Sequence, residues 1–164
     1  MLDRRSERYD IVAVVTDREC LACERAEKAG VPHEVVKYAE PREEWSSDLR
    51  KAVAQYLPDV VVSAGLMRIV TEDLLDGFPV VLNTHPALLP SFKGAHAVRD
   101  ALAYGVKVTG STVHKMDSGV DTGPIVAQWP VFIQPGDDED TLHERIKTVE
   151  RQLIVKVLEE GLWK

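Results

Sequence analysis

An α/β fold, with a mostly parallel twisted sheet flanked by helices, is what this sequence predicts. Short valine-rich runs alternate along the chain with stretches whose apolar residues recur at helical spacing, the pattern of strands joined through crossover helices. Val60, Val61 and Val62 stand in sequence without polar alternation, as in strands covered on both faces. A further run, Val80 to Leu82, stops at Asn83, His85 and Pro86, which puts polar groups at the strand end where ligands gather in open α/β sheets.

Taken in order, Ile11 to Val15 reads as a strand, Cys20 to Ala29 as a helix ended by Gly30, and His33 to Tyr38 as a short strand. From Arg42 to Leu57 the apolar positions Trp45, Leu49, Val53, Tyr56 and Leu57 form a helical stripe. Val60 to Ala64 is the buried strand, and Ala97 to Tyr104 a short helix leading to the strand pattern that begins at Lys107. Ile125 to Ile133 reads as a strand interrupted by Pro130, which confines it to an edge or a bulge. Asp137 to Asp140 forms the acidic opening of a helix that continues through Leu142, Ile146, Leu153, Ile154, Val157 and Leu158.

The chain has 164 residues, 45% of them hydrophobic, which suits one globular domain over residues 1–164. A net charge of −7 and the lack of a basic cluster argue against nucleic acid or an anionic membrane as partner. No apolar run approaches the roughly 20 residues of a membrane helix, and the first residues are charged rather than secretory in pattern, so a cytoplasmic location is expected. The two cysteines, Cys20 and Cys23, form one CxxC at a helix start. A redox reading exists because a helix N-terminus can lower a thiol pKa, but zinc would need further ligands, and two small half-buried cysteines are the favoured reading.

Candidate chemistry centres on Val80 to Pro90. Asn83 and His85 are two apart and project from one side of an extended backbone. An amide can donate to a carbonyl oxygen, and an imidazole can exchange a proton near neutral pH. Downstream, Asp121 lies before Gly123 and Pro124, as a carboxylate presented on a loop does, and a carboxylate beside an imidazole raises its basicity and fixes its orientation. His114 shares a strand face with Thr112 and could support the site or simply pack. Gly65 to Val70 is an apolar loop with one arginine, suited to a flat aromatic ligand though by composition more often core. Lys147 and Glu150 are three apart on a helix and reach one spot, by themselves an exposed ion pair worth little.

Asn83 to Pro90 (NTHPALLP), Gly94, Gly110 to His114, and Asp121, Gly123 and Pro124 together resemble the folate-dependent formyltransferases, a likeness that covers about Asp10 to Leu158. The resemblance implies a Rossmann-like formyltransferase fold. It implies transfer of the formyl group of 10-formyltetrahydrofolate to the amine of glycinamide ribonucleotide in purine synthesis, with Asn83, His85 and Asp121 catalytic and no metal required. It makes Met67, Arg68, Ile69, Val70 and Asp117 folate contacts, sets Glu150 on the ribose hydroxyls and Lys147 near the ribonucleotide, and makes His114 and Thr112 supporting residues. The partners implied are small molecules, with room for a homodimer.

Such proteins begin with a strand and a glycine- and serine-rich phosphate loop, which this sequence lacks. Met1 to Arg8 resembles the tail of the helix after that loop, so the fold is expected without its first strand and short at both ends, Met1 being read as internal to a longer protein. A genuine remnant, or a strand supplied by another chain, are the alternatives. Two rival functions remain on the same residues: a formyltetrahydrofolate hydrolase, in which a second histidine typically follows the catalytic one where Pro86 stands here, and a non-catalytic folate-binding remnant. A metal hydrolase using His85, His114 and Asp121 finds no support in ligand spacing.

Overall fold

The computed structural model describes residues 1–2 and 6–164, so part of the expected helix tail, residues 3–5, lies outside the described residues. Strands and helices follow one another as the alternation predicts, and the α/β class holds. The chain divides into two compact units, residues 1–81 and 82–164.

In the first unit β1 (Val14–Thr16) and β2 (His33–Val35) pair in parallel, Val14 opposite His33, with α1 (Leu21–Ala29) between them in sequence. Gly30 ends α1 at φ 68°, and its N–H bonds back to the carbonyls of Ala26 and Glu27. Then come α2 (Arg42–Ala54), β3 (Val61–Ser63) and α3 (Glu72–Asp76). The α2 stripe packs as expected: Trp45 and Leu49 join Leu74 in a core that takes in Val15, Val36, Tyr38 and Val70, and the indole N–H donates to the Val36 carbonyl at 3.0 Å. The helix stops at Ala54, short of the expected Leu57. Pro58 disfavours helical backbone in the residue before it, and Leu57 takes φ 48° and stands 87% exposed instead of joining the stripe. The 5-residue α3 has too few turns to leave a periodic signal. Both cysteines are free; Cys20 is the N-cap of α1, and Cys23 lies deeper than expected, buried with its Sγ 3.5 Å from Thr16 Oγ1.

In the second unit β4 (Val81–His85), β5 (Val108–Lys115) and β6 (Ile125–Phe132) lie side by side, with α4 (Ala97–Tyr104) and α5 (Glu139–Glu160) completing the fold. Pairing is antiparallel in both ladders, Asn83 opposite His114 and Gly110 opposite Pro130. The expectation of mostly parallel pairing is thus met between β1 and β2 and not here. A loop without a crossover helix joins β5 to β6, and such a connection can only return the chain antiparallel. Pro130 lies on the edge strand, as expected. The Ile133 N–H donates to the Lys107 carbonyl, and since bonded and unbonded pairs alternate, the Gly110–Pro130 pair is unbonded and the missing N–H faces away from β5.

The core of this unit joins Val98, Val131, Leu142 and Ile146. Asp138 caps α5, accepting from the Thr141 N–H at 2.8 Å while the Thr141 hydroxyl accepts from the Asp138 N–H. The neighbouring Asp137 grips the Arg145 guanidinium with both oxygens, at 2.7 and 2.8 Å, and its carboxyl is held down to about 2. Among the described residues no helix is long and apolar enough to cross a membrane.

Candidate active site

β4 stays extended through His85, so the polar residues lie on the strand itself rather than just past its end. Asn83 and His85 therefore share a face, and the register with β5 sets His114 opposite the first and Thr112 opposite the second. His114 Nδ1 is 3.0 Å from the Lys115 carbonyl and so carries a hydrogen, because a carbonyl only accepts. In the tautomer with its hydrogen on Nδ1, His114 accepts through Nε2 from the Asn83 amide nitrogen at 3.2 Å. That contact engages one of the two N–H groups of the amide.

Asp121 enters from the loop between β5 and β6, at φ 52°. Gly123 presses against the Lys115 carbonyl with no room for a Cβ, and the Lys115 N–H donates to the Pro124 carbonyl at 2.9 Å, which closes the loop over the strand. Asp121 Oδ2 then lies 3.2 Å from His85 Nδ1 and accepts from the Gly94 N–H at 2.8 Å, while Oδ1 is 3.5 Å from His114 Nε2. On its other side His85 meets the Phe92 carbonyl, 2.8 Å from Nε2. Burial of the ring, 3% exposed, pushes the His85 pKa below its ordinary value; the Phe92 carbonyl and the Asp121 carboxylate work against that, and His114 works with it.

The structure thus brings Asn83, His85 and Asp121 together, with His114 behind two of them. Thr112 has a different task. Its buried hydroxyl donates to the Ala87 carbonyl at 2.7 Å and accepts from the Leu89 N–H at 3.1 Å and the Gln128 amide at 2.9 Å, holding the turn that follows His85. Gln128 also donates to the Leu89 carbonyl at 2.8 Å. Gln128, the Phe92 carbonyl and the Gly94 N–H leave no mark in the sequence: the first looks like any strand residue, and main-chain groups carry no side-chain signature. Gly110 completes the turn's seat, since a Cβ there would run into the Leu88 side chain and the Trp129 carbonyl.

Lys147 and Glu150 do not pair with each other. Lys147 binds Glu144 at 2.7 Å, one turn back, whereas Glu150 lies towards Thr84, on the face of β4 opposite Asn83 and His85. Burial raises the Glu150 carboxyl above its ordinary range, with Thr84 and the charges of Arg151 and Lys147 working against it. Asp117 is engaged in its own loop, accepting from the Gly119 N–H at 3.1 Å and the Thr122 hydroxyl at 2.6 Å. In the first unit Met67 and Ile69 stand 72% and 61% exposed, and Val70 packs against the core there. Arg68 between them pairs with Asp17 at 3.2 Å and lies 4.1 Å over the Tyr38 ring, whose hydroxyl donates to Glu40. Among the described residues, no group of three or more His, Cys, Asp or Glu could hold a metal ion.

Comparison with known proteins adds to this geometry. Residues 2–158 match the family described as formyl transferase. The chain belongs to the formyl transferase family. It is 57% identical over 148 residues to the phosphoribosylglycinamide formyltransferase of Mycobacterium tuberculosis, covering 88% of this chain and 69% of that protein. It is 37% identical over 153 residues to the trifunctional purine biosynthetic protein adenosine-3 of Bos taurus, covering 91% of this formyl transferase and 15% of the larger protein. Among solved structures, the phosphoribosylglycinamide formyltransferase of Streptococcus pneumoniae TIGR4 superposes with a TM-score of 0.87 at 33% identity, covering 96% of this chain and 89% of that one.

Proposed function

We propose that this formyl transferase moves the formyl group of 10-formyltetrahydrofolate to the primary amine of glycinamide ribonucleotide, a step of purine synthesis, acting as one domain over residues 1–164. The observation that carries the reading is the convergence of Asn83, His85 and Asp121, with Asp121 Oδ2 3.2 Å from His85 Nδ1, in a member of this family.

The second N–H of Asn83 and the charge of protonated His85 stabilise the oxygen that becomes negative as the amine attacks the formyl carbon. A new C–N bond forms to the amine and the C–N bond to folate breaks. The proton released by the amine passes through the His85–Asp121 pair to the folate nitrogen. His114 orients the Asn83 amide, and Thr112 holds the turn. Met67, Ile69 and Val70 offer apolar surface to the pterin, with Arg68 and Asp117 as polar contacts, while Glu150 takes the ribose hydroxyls and Lys147 lies near the ribonucleotide. The reaction needs no metal, its partners are small molecules, and it belongs to the cytoplasm; a homodimer is compatible with all of this.

Incubation with 10-formyltetrahydrofolate, with and without glycinamide ribonucleotide, tests the reading when formylated ribonucleotide and free formate are quantified separately. Formylated product is the expected result. Formate alone would make the protein a hydrolase, and folate binding with neither product would make it a binding protein.

A further inference from the structure

Both nitrogens of His85 are engaged, and only one of the two partners is a side chain. Phe92 meets Nε2 with its main-chain carbonyl at 2.8 Å, at a φ of 54°, in the left-handed region that bulky residues avoid. Its ring rests edge-on against Tyr104 at the end of α4, with centroids 6.0 Å apart. Two residues on, Gly94 at φ 90° aims its N–H at Asp121 Oδ2, 2.8 Å away. One short segment therefore holds the histidine at one end and its carboxylate at the other.

A carbonyl oxygen only accepts, so Nε2 carries a hydrogen in every protonation state that keeps this bond. We propose that Phe92 is a positioning residue for the formyl transfer: its left-handed backbone fixes a hydrogen on Nε2 of His85 and makes Nδ1, against Asp121, the nitrogen that gains and loses the mobile proton. The consequence for catalysis rests on the transfer proposed above, whereas the tautomer rests on geometry alone. The titratable groups facing His85 are Asp121 from the β5–β6 loop and His114 from β5; Lys93 and Asp117, on the same two loops, are exposed. Because the Phe92 carbonyl favours the protonated ring, its loss moves the His85 titration to lower pH.

Imidazole ¹⁵N spectra of the full chain across pH, with His85 assigned by its disappearance in His85→Gln, read the tautomer directly. The wild type is expected to keep Nε2 protonated throughout while Nδ1 titrates. Phe92→Val, whose β-branched side chain resists positive φ, is expected to lose that bias, titrate at lower pH and turn over on the order of 10²-fold more slowly. Phe92→Asn and Phe92→Gly suit positive φ but lack the ring, and they are expected to restore the tautomer and recover at least roughly tenfold over valine. A neutral wild-type ring protonated on Nδ1 would overturn the inference, whether or not the valine variant folds. So would asparagine and glycine variants as poor as valine, which would move the role to the ring. A wild type with the expected spectrum and no formyl transfer would sink the transfer reading and with it the catalytic consequence, leaving the tautomer assignment supported.

Discussion

In the second unit, Asn83, His85, His114 and Asp121 spend their polar groups on one another at 3.2–3.5 Å, and the two histidines are 2–3% exposed. In the first, Met67 and Ile69 turn large apolar side chains outward, 72% and 61% exposed, with only Arg68 between them tied down. The first arrangement is built in advance of any ligand, as groups that must meet developing charge have to be. The second leaves apolar surface uncovered, which gains only when something covers it. Substitutions should therefore lower turnover in the one region and affinity in the other.

The largest effect is expected from His85→Ala or Asp121→Ala, each slowing formyl transfer roughly 10²- to 10³-fold while circular dichroism shows a folded chain. Near-normal turnover in both would erase the contrast. Smaller is the loss from His114→Ala, about tenfold in kcat, because it acts through the Asn83 amide rather than on the reacting atoms; adding Asn83→Ala to it should cost little beyond Asn83→Ala alone in a double-mutant cycle. Smaller again, Met67→Ser and Ile69→Ser should each raise KM for the folate by roughly 5- to 10-fold with kcat nearly unchanged, as expected for burying about one apolar side chain on binding. A fall in kcat would mean that this region shares in the chemistry and that the two are not divided between turnover and affinity.

Much of the geometry of the candidate site was legible because its logic is local. Asn83 and His85 share a face by the two-residue period of a strand, and Asp121 is marked by the glycine and proline that shape its loop. The CxxC packs as two free thiols, and Ala97–Tyr104 is the helix its pattern predicts. What escaped depends on partners distant in sequence or on the main chain. Nothing in the letters around Phe92 says that its carbonyl faces a histidine, and Gln128 gains its role only from a register that puts it opposite Thr112. The ion pair that helical spacing allows Lys147 and Glu150 is not formed for the same reason: Lys147 is taken by Glu144, which the spacing alone does not favour over Glu150.

The smallest effect concerns stability rather than catalysis. Asp137, an ordinary carboxyl of 3.8 lowered to about 2 by Arg145, stabilises the fold fully above pH 3.8, and that contribution fades as the pH falls through about 2. Asp137→Asn should flatten the pH dependence of Tm in that window alone, leaving turnover at neutral pH and the two candidate regions untouched. A change in turnover at neutral pH would tie this end of α5 to the site.

One feature of β6 reaches past the single chain. With Pro130 in the middle of the strand, its outward edge lacks a donor at the point where a neighbouring molecule's strand would seek one, so continued sheet growth from molecule to molecule is interrupted there. The cost is a single amide hydrogen, which no strand among the described residues would have used.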